Sequence, residues 1–321
     1  MKHFDVFNGD ADGICALHQL RLAEPVQAEL VTGVKRDIAL LERVQASPGD
    51  RVTVLDVSLE RNRAALLRLL AQGARVRYFD HHDAGVLPVH PALEAFIEEA
   101  GGVCTSMLVD RYLGGRFRAW AVVAAFGDQL AQSALGLAAG LSLEPDRVQA
   151  LRSLGESLNY NAYGETEADL LIPPAELYRT VRRYADPFDL IARESLVGRL
   201  ADQRSADMRR VLALSPYRSA GGFDAYLLPD EAWSRRVSGS FANQLARDDP
   251  SRAHAVLTPG SRGGFAVSLR APGAGGASAA DVCRRFPTGG GRREAGGIDR
   301  LAPGELEALF AALADSYPPR G

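Results

Sequence analysis

The chain has 321 residues, 46% hydrophobic and 24% charged, which excludes a disordered protein and suits an α/β protein with two buried cores. Its net charge of −3 excludes the broad basic field that long duplex nucleic acid requires. Cys15, Cys104 and Cys283 lack CxxC spacing, which argues against a disulfide framework or zinc knot, and no stretch approaches the roughly 20 apolar residues of a membrane span, so a cytoplasmic protein is expected.

Residues 4–7 read as a strand that breaks into Asn8-Gly-Asp10-Ala-Asp12-Gly13, followed by a helix over 13–23. Carboxylates at Asp10 and Asp12 can reach two ions about 3.5–4 Å apart, while Asp12 could equally cap the helix. The DxDG pattern resembles half of a calcium loop, but the later acid that closes such a loop is missing. A second strand is expected at 27–32, then Lys35 and Arg36 in a loop, with Lys35 a lesser site candidate, and a helix over 37–45. The run at 52–55 reads as a buried strand before a helix at 60–72. Asp56, at its end, is placed either to bridge two metals or to cap that helix, a task open to Ser58 as well.

A further β-prone run from Arg75 stops abruptly at Asp80-His81-His82. Three strands ending in carboxylates or imidazoles can converge on the carboxyl edge of one sheet, where open α/β sheets bind their ligands; this outlines a dinuclear metal site. His90-Pro91 is expected to open a helix towards Ala100, with another from Thr105 or Ser106. Residues 118–130 are apolar except for Asp128, which is metal-bound, paired or capping; the metal reading supplies a fourth contributor. Residues 133–171 read as mostly helical, 158–164 as a pocket-lining loop, and 178–184 and 186–208 as helices, the last bridging to a second domain from near Pro216.

That domain carries strands at 225–228, 253–258 and 264–269, a helix at 238–247 and a short helix at 277–286. Alternation along the third strand turns Arg270 away from the face of Phe265, Val267 and Leu269. In Thr288-Gly289-Gly290-Gly291-Arg292, the glycines make either a flexible loop or free amides that face an anion.

Together these residues resemble the DHH phosphoesterase superfamily along essentially the whole chain. The resemblance rests on four ordered motifs: Asn8-Gly-Asp10-Ala-Asp12-Gly13, Leu55-Asp56, Asp80-His81-His82 and Phe126-Gly127-Asp128. The glycine run is similar to the signature of the DHH-associated domain, with Arg292 where a histidine is usual. Many members also carry a histidine at the position of Val6, and RecJ-like nucleases an acid at that of Asn8. The resemblance implies a parallel-sheet catalytic domain over 1–190, a helical linker over 191–215 and a smaller α/β DHH-associated (DHHA1) domain over 216–321, with the active site in the cleft between domains.

It further implies a phosphoesterase using two divalent cations, Mn2+ first and Mg2+ or Co2+ as alternatives. Asp10 and Asp56, with Asn8 nearby, are assigned to one ion, and Asp12, Asp56, His81 and Asp128 to the other. Asp56 bridges, and a hydroxide between the ions attacks phosphorus. His82 donates to a phosphate oxygen or the leaving group, and Asp80 fixes an imidazole tautomer. Arg270, Gly289, Gly290, Gly291 and Arg292 hold a terminal phosphate. Expected substrates are short 5′-phosphorylated oligonucleotides or linear dinucleotides of the pGpG or pApA type. The alternatives are a cyclic-dinucleotide or 3′-phosphoadenosine phosphate phosphatase, a RecJ-type processive exonuclease, and a catalytically weakened nucleotide sensor. The protein is expected to be a monomer or homodimer with no duplex or membrane partner.

Overall fold

The runs ending at Phe7, Leu55 and Phe79 become neighbouring parallel strands whose last apolar residues lie side by side in register. In this computed structural model, which describes residues 1–261, 263–273 and 277–318, the chain divides into two units, Met1–Asp202 and Gln203–Gly321. The first opens with β1 His3–Phe7, α1 Ala11–Ala23, β2 Glu29–Val31, β3 Arg51–Leu55, α2 Leu59–Ala71, β4 Arg75–Asp80 and β5 Leu93–Ile97. The sheet order is β2-β1-β3-β4-β5 and every pairing is parallel. Successive residues of a strand face opposite sides. Phe7, Leu55 and Phe79 therefore enter one core with α1, while Val6, Val54 and Tyr78 enter another with α2. Burial on both faces explains why these strands read as unbroken apolar runs.

Helices complete the unit: α3 Thr105–Tyr112, α4 Arg118–Gly127, α5 Ala131–Ala139, α6 Pro145–Ala162, α7 Pro174–Val181, α8 Pro187–Arg193 and α9 Ser195–Leu212, within which the unit boundary falls. Two of them cross closely at Gly155 of α6, where a Cβ would stand 2.1 Å from the carbonyl oxygen of Val123 on α4. Only glycine permits that approach, which sets the end of α4, and hence Asp128, against α6. None of the helices is long and apolar enough to cross a membrane among the described residues.

The second unit contains β6 Arg218–Ala220, β7 Phe223–Leu227, α10 Ala232–Asp248, β8 Ala253–Pro259, β9 Phe265–Arg270, α11 Ala279–Cys283, β10 Gly289–Gly291, β11 Ala295–Leu301 and α12 Leu306–Ser316. Its sheet runs β10-β11-β9-β8-β7-β6, antiparallel except for the β7–β8 pair that α10 connects. Phe223, Leu257, Val267 and Ile298 build its core with α11 and α12.

Several sequence expectations are corrected. The helix expected after His90 is instead the strand β5: Ala, Glu and Leu favour a helix in isolation, but pairing with β4 and the stacking of Phe96 on Phe79, ring centroids 4.6 Å apart, win. The helix expected over 37–45 shrinks to a single 3-10 turn at Leu40–Arg43. There Asn62 donates to the Ile38 carbonyl and accepts from the Leu41 amide, satisfying the backbone in place of a helical ladder. Residues 158–162 form the last turns of α6 rather than a loop. The helix expected over 186–208 breaks at Glu194, which is extended. The glycine run at 289–291 is a strand paired with β11, not a loop; a Cβ on Gly289 would lie 1.7 Å from the Cys283 carbonyl, so its glycine serves packing.

Candidate metal centre

The register that aligns Phe7, Leu55 and Phe79 places the next residues, Asn8, Asp56 and Asp80, together at the carboxyl edge of the sheet. The amide of Asn8 donates to Leu55 O (3.3 Å) and that of Asp56 to Phe79 O (3.0 Å), so the edge holds one step beyond the strands. Asp56 has φ 57°, a left-handed conformation rare for non-glycine residues and found where a side chain must be aimed. It does not cap α2; Ser58 does, through Arg61 N.

Capping of the first helix falls to Asp10 and not to Asp12. Asp10 is the cap of α1, its Oδ1 accepting from the amides of Asp12 and Gly13 (3.0 and 3.1 Å). Asp12 accepts from the amides of Ser106 and Thr105, both at 2.7 Å, which open α3. The partial positive charge of that helix end suits a carboxylate there. Gly13 is required locally, since a Cβ would stand 2.2 Å from the Asn8 carbonyl.

From the end of β4, His81 points its Nε2 to within 3.5 Å of Asp56 Oδ1 and 3.9 Å of Asp128 Oδ2. Asp12, His81 and Asp128 offer donor atoms all within 4.8 Å of one another, as do Asp56, His81 and His82. Two ligands of one hard divalent ion, each about 2.1 Å from it, lie at most about 4.2 Å apart. Asp12, His81 and Asp128 thus come close to the spacing of one such ion, and His81 also brings Asp56 within 3.5 Å of the same point. Burial, then repulsion by Asp10, Asp12 and Asp128, pushes Asp56 well above the usual carboxylate range. Burial likewise raises Asp12, with Asp128 and Asp10 adding to it and His81 opposing. These strained carboxylates are the electrostatic counterpart of a cation site.

Asp80 contacts a different imidazole. Its Oδ1 lies 2.7 Å from His82 Nδ1, leaving Nε2 of that half-buried ring for another partner. Burial disfavours the charged ring, but the hydrogen bond and charge of Asp80, then Asp128, outweigh it and raise the His82 pKa.

Lys35 stands at the same edge. Its Nζ contacts Asp10 Oδ2, lies 3.2 Å from Asn159 Oδ1 and 3.6 Å from Asp128 Oδ1, and faces the Tyr163 ring at 5.7 Å. Burial works against its charge, but Asp10 and then Tyr163, Asp128 and Asp56 hold its pKa well above the ordinary value. Asn8 is engaged locally: Oδ1 accepts from Asp10 N at 3.2 Å and Nδ2 donates to Lys35 O at 3.3 Å. Thr105, whose hydroxyl lies 3.4 Å from Asp56 Oδ1, was not among the sequence candidates, whereas Asn159 falls in the 158–164 stretch expected to line a pocket. One signal for Lys35 was available: only it and Lys2 are lysines among 37 basic residues.

The remaining candidates lie in the second unit. Arg270 faces α10, Nε donating to Asn243 Oδ1 at 2.6 Å, and pairs in register with Ala295, whose carbonyl accepts from Arg292 N at 2.8 Å. The two arginines therefore flank one residue beside the Gly289–Gly291 strand. A separate depression of about 880 Å³ opens at the amino ends of β1, β3 and β4, away from these strand tips. Two of its arginines are already paired, Arg21 with Asp5 and Arg77 with Glu24 and Glu94.

No protein-family profile matches the chain, and no curated protein matches it. Among solved structures, the chain is similar to exonuclease RecJ bound to manganese, at 18% identity over 97% of this chain and 89% of that one, TM-score 0.61. It is also similar to the pGpG-specific phosphodiesterase PggH from Vibrio cholerae, at 13% identity over 98% and 97%, TM-score 0.53. An exopolyphosphatase-related protein from Bacteroides fragilis matches at 13% identity over 98% and 91%, TM-score 0.51. The chain shares the α/β fold of these proteins.

Proposed function

We propose that this chain, which has the fold of the DHH phosphoesterases, is a metal-dependent phosphodiesterase that cuts short 5′-phosphorylated oligonucleotides or linear dinucleotides to mononucleotides. The observation that carries this reading is the meeting of Asp12, Asp56, His81 and Asp128 at one sheet edge. The fold is common to proteins described as an exonuclease and a pGpG-specific phosphodiesterase.

In this reading Asp12, Asp56, His81 and Asp128 would hold one divalent cation, Mn2+ by preference, and Asp10 and Asp56 a second. The ions would supply Lewis acidity and stabilise charge on the phosphoryl oxygens. The chain's own residues do the rest. The Asp80 carboxylate keeps the proton of His82 on Nδ1 and favours the charged ring, so that Nε2–H donates to a phosphate oxygen or the leaving oxygen. Arg270 and Arg292 serve a terminal phosphate, for which guanidinium geometry is suited. The three free, buried thiols accord with a cytoplasmic setting.

Product analysis tests the reading: di- to decanucleotides with and without a 5′-phosphate, a cyclic dinucleotide and 3′-phosphoadenosine phosphate, each with Mn2+, Mg2+ or chelator. Release of mononucleotides from the shortest 5′-phosphorylated substrates, abolished by chelation, is expected. Rates that rise with length would favour a processive exonuclease, and tight nucleotide binding without turnover under Mn2+ would favour a sensor.

A further inference from the structure

We propose that the ammonium of Lys35 takes the place of one of the two cations, so that the chain binds a single divalent ion beside a fixed positive charge of its own. This rests on the metal-dependent reading above and departs from its two-ion form. The ion assigned to Asp10 and Asp56 does not fit the residues present. Asp10 differs from Asp12: the oxygens of Asp12 accept from neutral amides and keep a lone pair each for an ion, whereas Oδ2 of Asp10 already faces a cation, Lys35, and Oδ1 is shared by the amides of Asp12 and Gly13. Asn8 brings no charge, and its amide is used at both ends. Val6 is fully buried in the apolar core and has no donor atom to offer.

The position of Nζ completes the case. It touches Asp10 and lies 3.2 Å from Asn159 Oδ1 and 3.6 Å from Asp128 Oδ1, so oxygens of three residues converge on its positive charge. A divalent ion on Asp10 would share that carboxylate with a neighbouring cation and be repelled by it. The backbone fixes this arrangement, because Lys35 N donates to Ala162 O at 2.8 Å and Lys35 O accepts from Asn8. The residue type matters too. An ammonium is a compact charge with three donors, whereas a planar guanidinium would not enter the same oxygen cage. That distinguishes this position in a chain whose other basic residues, apart from Lys2, are arginine.

Calorimetric titration of the full chain with Mn2+, together with paramagnetic resonance of the bound ion, tests the proposal without reference to turnover. One Mn2+ per chain with the spectrum of an isolated ion is expected. Asn8→Asp combined with Lys35→Ala should raise the stoichiometry to two and give an exchange-coupled pair, whereas Asn8→Asp with Lys35→Arg should not. Two coupled ions in the unaltered chain would overturn the proposal, as would no bound ion, or a folded Asn8→Asp, Lys35→Ala chain that still takes one. Hydrolysis is scored separately. An inactive chain with one ion sinks the activity and leaves the Lys35 assignment standing; an active chain with two coupled ions does the reverse.

Discussion

The Nδ1 of His82 stands 2.7 Å from Oδ1 of Asp80, a carboxylate with no solvent exposure at the last position of β4. Burial resists the charged ring, and Asp80 and then Asp128 overcome it. Asp80→Asn keeps a hydrogen-bond acceptor and removes the charge. The limb of the pH–rate profile on which His82 loses its proton should then move to lower pH, and kcat at neutral pH should fall by roughly 10²-fold. An unmoved limb would show that His82 is not the proton donor.

Asp56 combines a left-handed backbone with a carboxylate crowded by Asp10, Asp12 and Asp128. Asparagine tolerates that backbone, so Asp56→Asn isolates the charge. Hydrolysis should drop by roughly 10³-fold or more, while the melting temperature in chelator should hold or rise because one repelled charge is gone. Unchanged turnover would refute its place in the centre.

Asp12 carries a structural load that Asp56 does not. Asp12→Ala removes two buried, charge-assisted bonds to the start of α3, a loss of about 3 kcal/mol before any relaxation. Metal-free urea unfolding should therefore show Asp12→Ala well below Asp56→Ala. Equal midpoints would mean that α3 does not depend on this anchor.

His18 gives the first unit an acid-sensitive site away from the metal centre. Its ring meets Trp120 edge-on at 4.6 Å and its Nε2 lies 2.8 Å from the Tyr184 carbonyl, which fixes Nε2–H as the donor. Burial lowers its pKa from 6.5 to about 4, only partly opposed by that hydrogen bond. Below pH 6.5 the unfolded chain takes up the proton first, so this contribution is intact above pH 6.5 and lost as pH falls towards 4. Between pH 7 and pH 5 the loss is about 2 kcal/mol. The urea midpoint of His18→Gln should decline less over that interval than that of the unaltered chain.

Arg292 bears on substrate choice rather than on chemistry. Arg292→Ala should raise KM for 5′-phosphorylated dinucleotides by about tenfold, the equivalent of one charge-assisted hydrogen bond. Neither kcat nor the KM of unphosphorylated substrates should change. An equal effect on both substrates would remove Arg292 from the proposed phosphate contact.

Much of the first unit was legible along the chain because its signals are local. An apolar run of strand length that stops at Asp56 or Asp80-His81-His82 declares both the strand and its chemically active end. The glycine between Asp12 and Ile14 belongs to the same few residues that it allows to turn. β5 was misread because its composition is helical and only the neighbouring strand makes it extended. The glycine strand β10 was misread because its partner, not its flexibility, defines it.

The charge of Lys35 was visible in the sequence, but its surroundings were not. Asn159 lies 124 residues further on and Asp128 reaches the same point from the end of another helix. Local periodicity determines which segments become strands and helices, because backbone geometry repeats over a few residues. Which charged tips then share one small volume depends on helix crossings and strand register between distant segments, and that is where a second metal site and a lysine cage part ways.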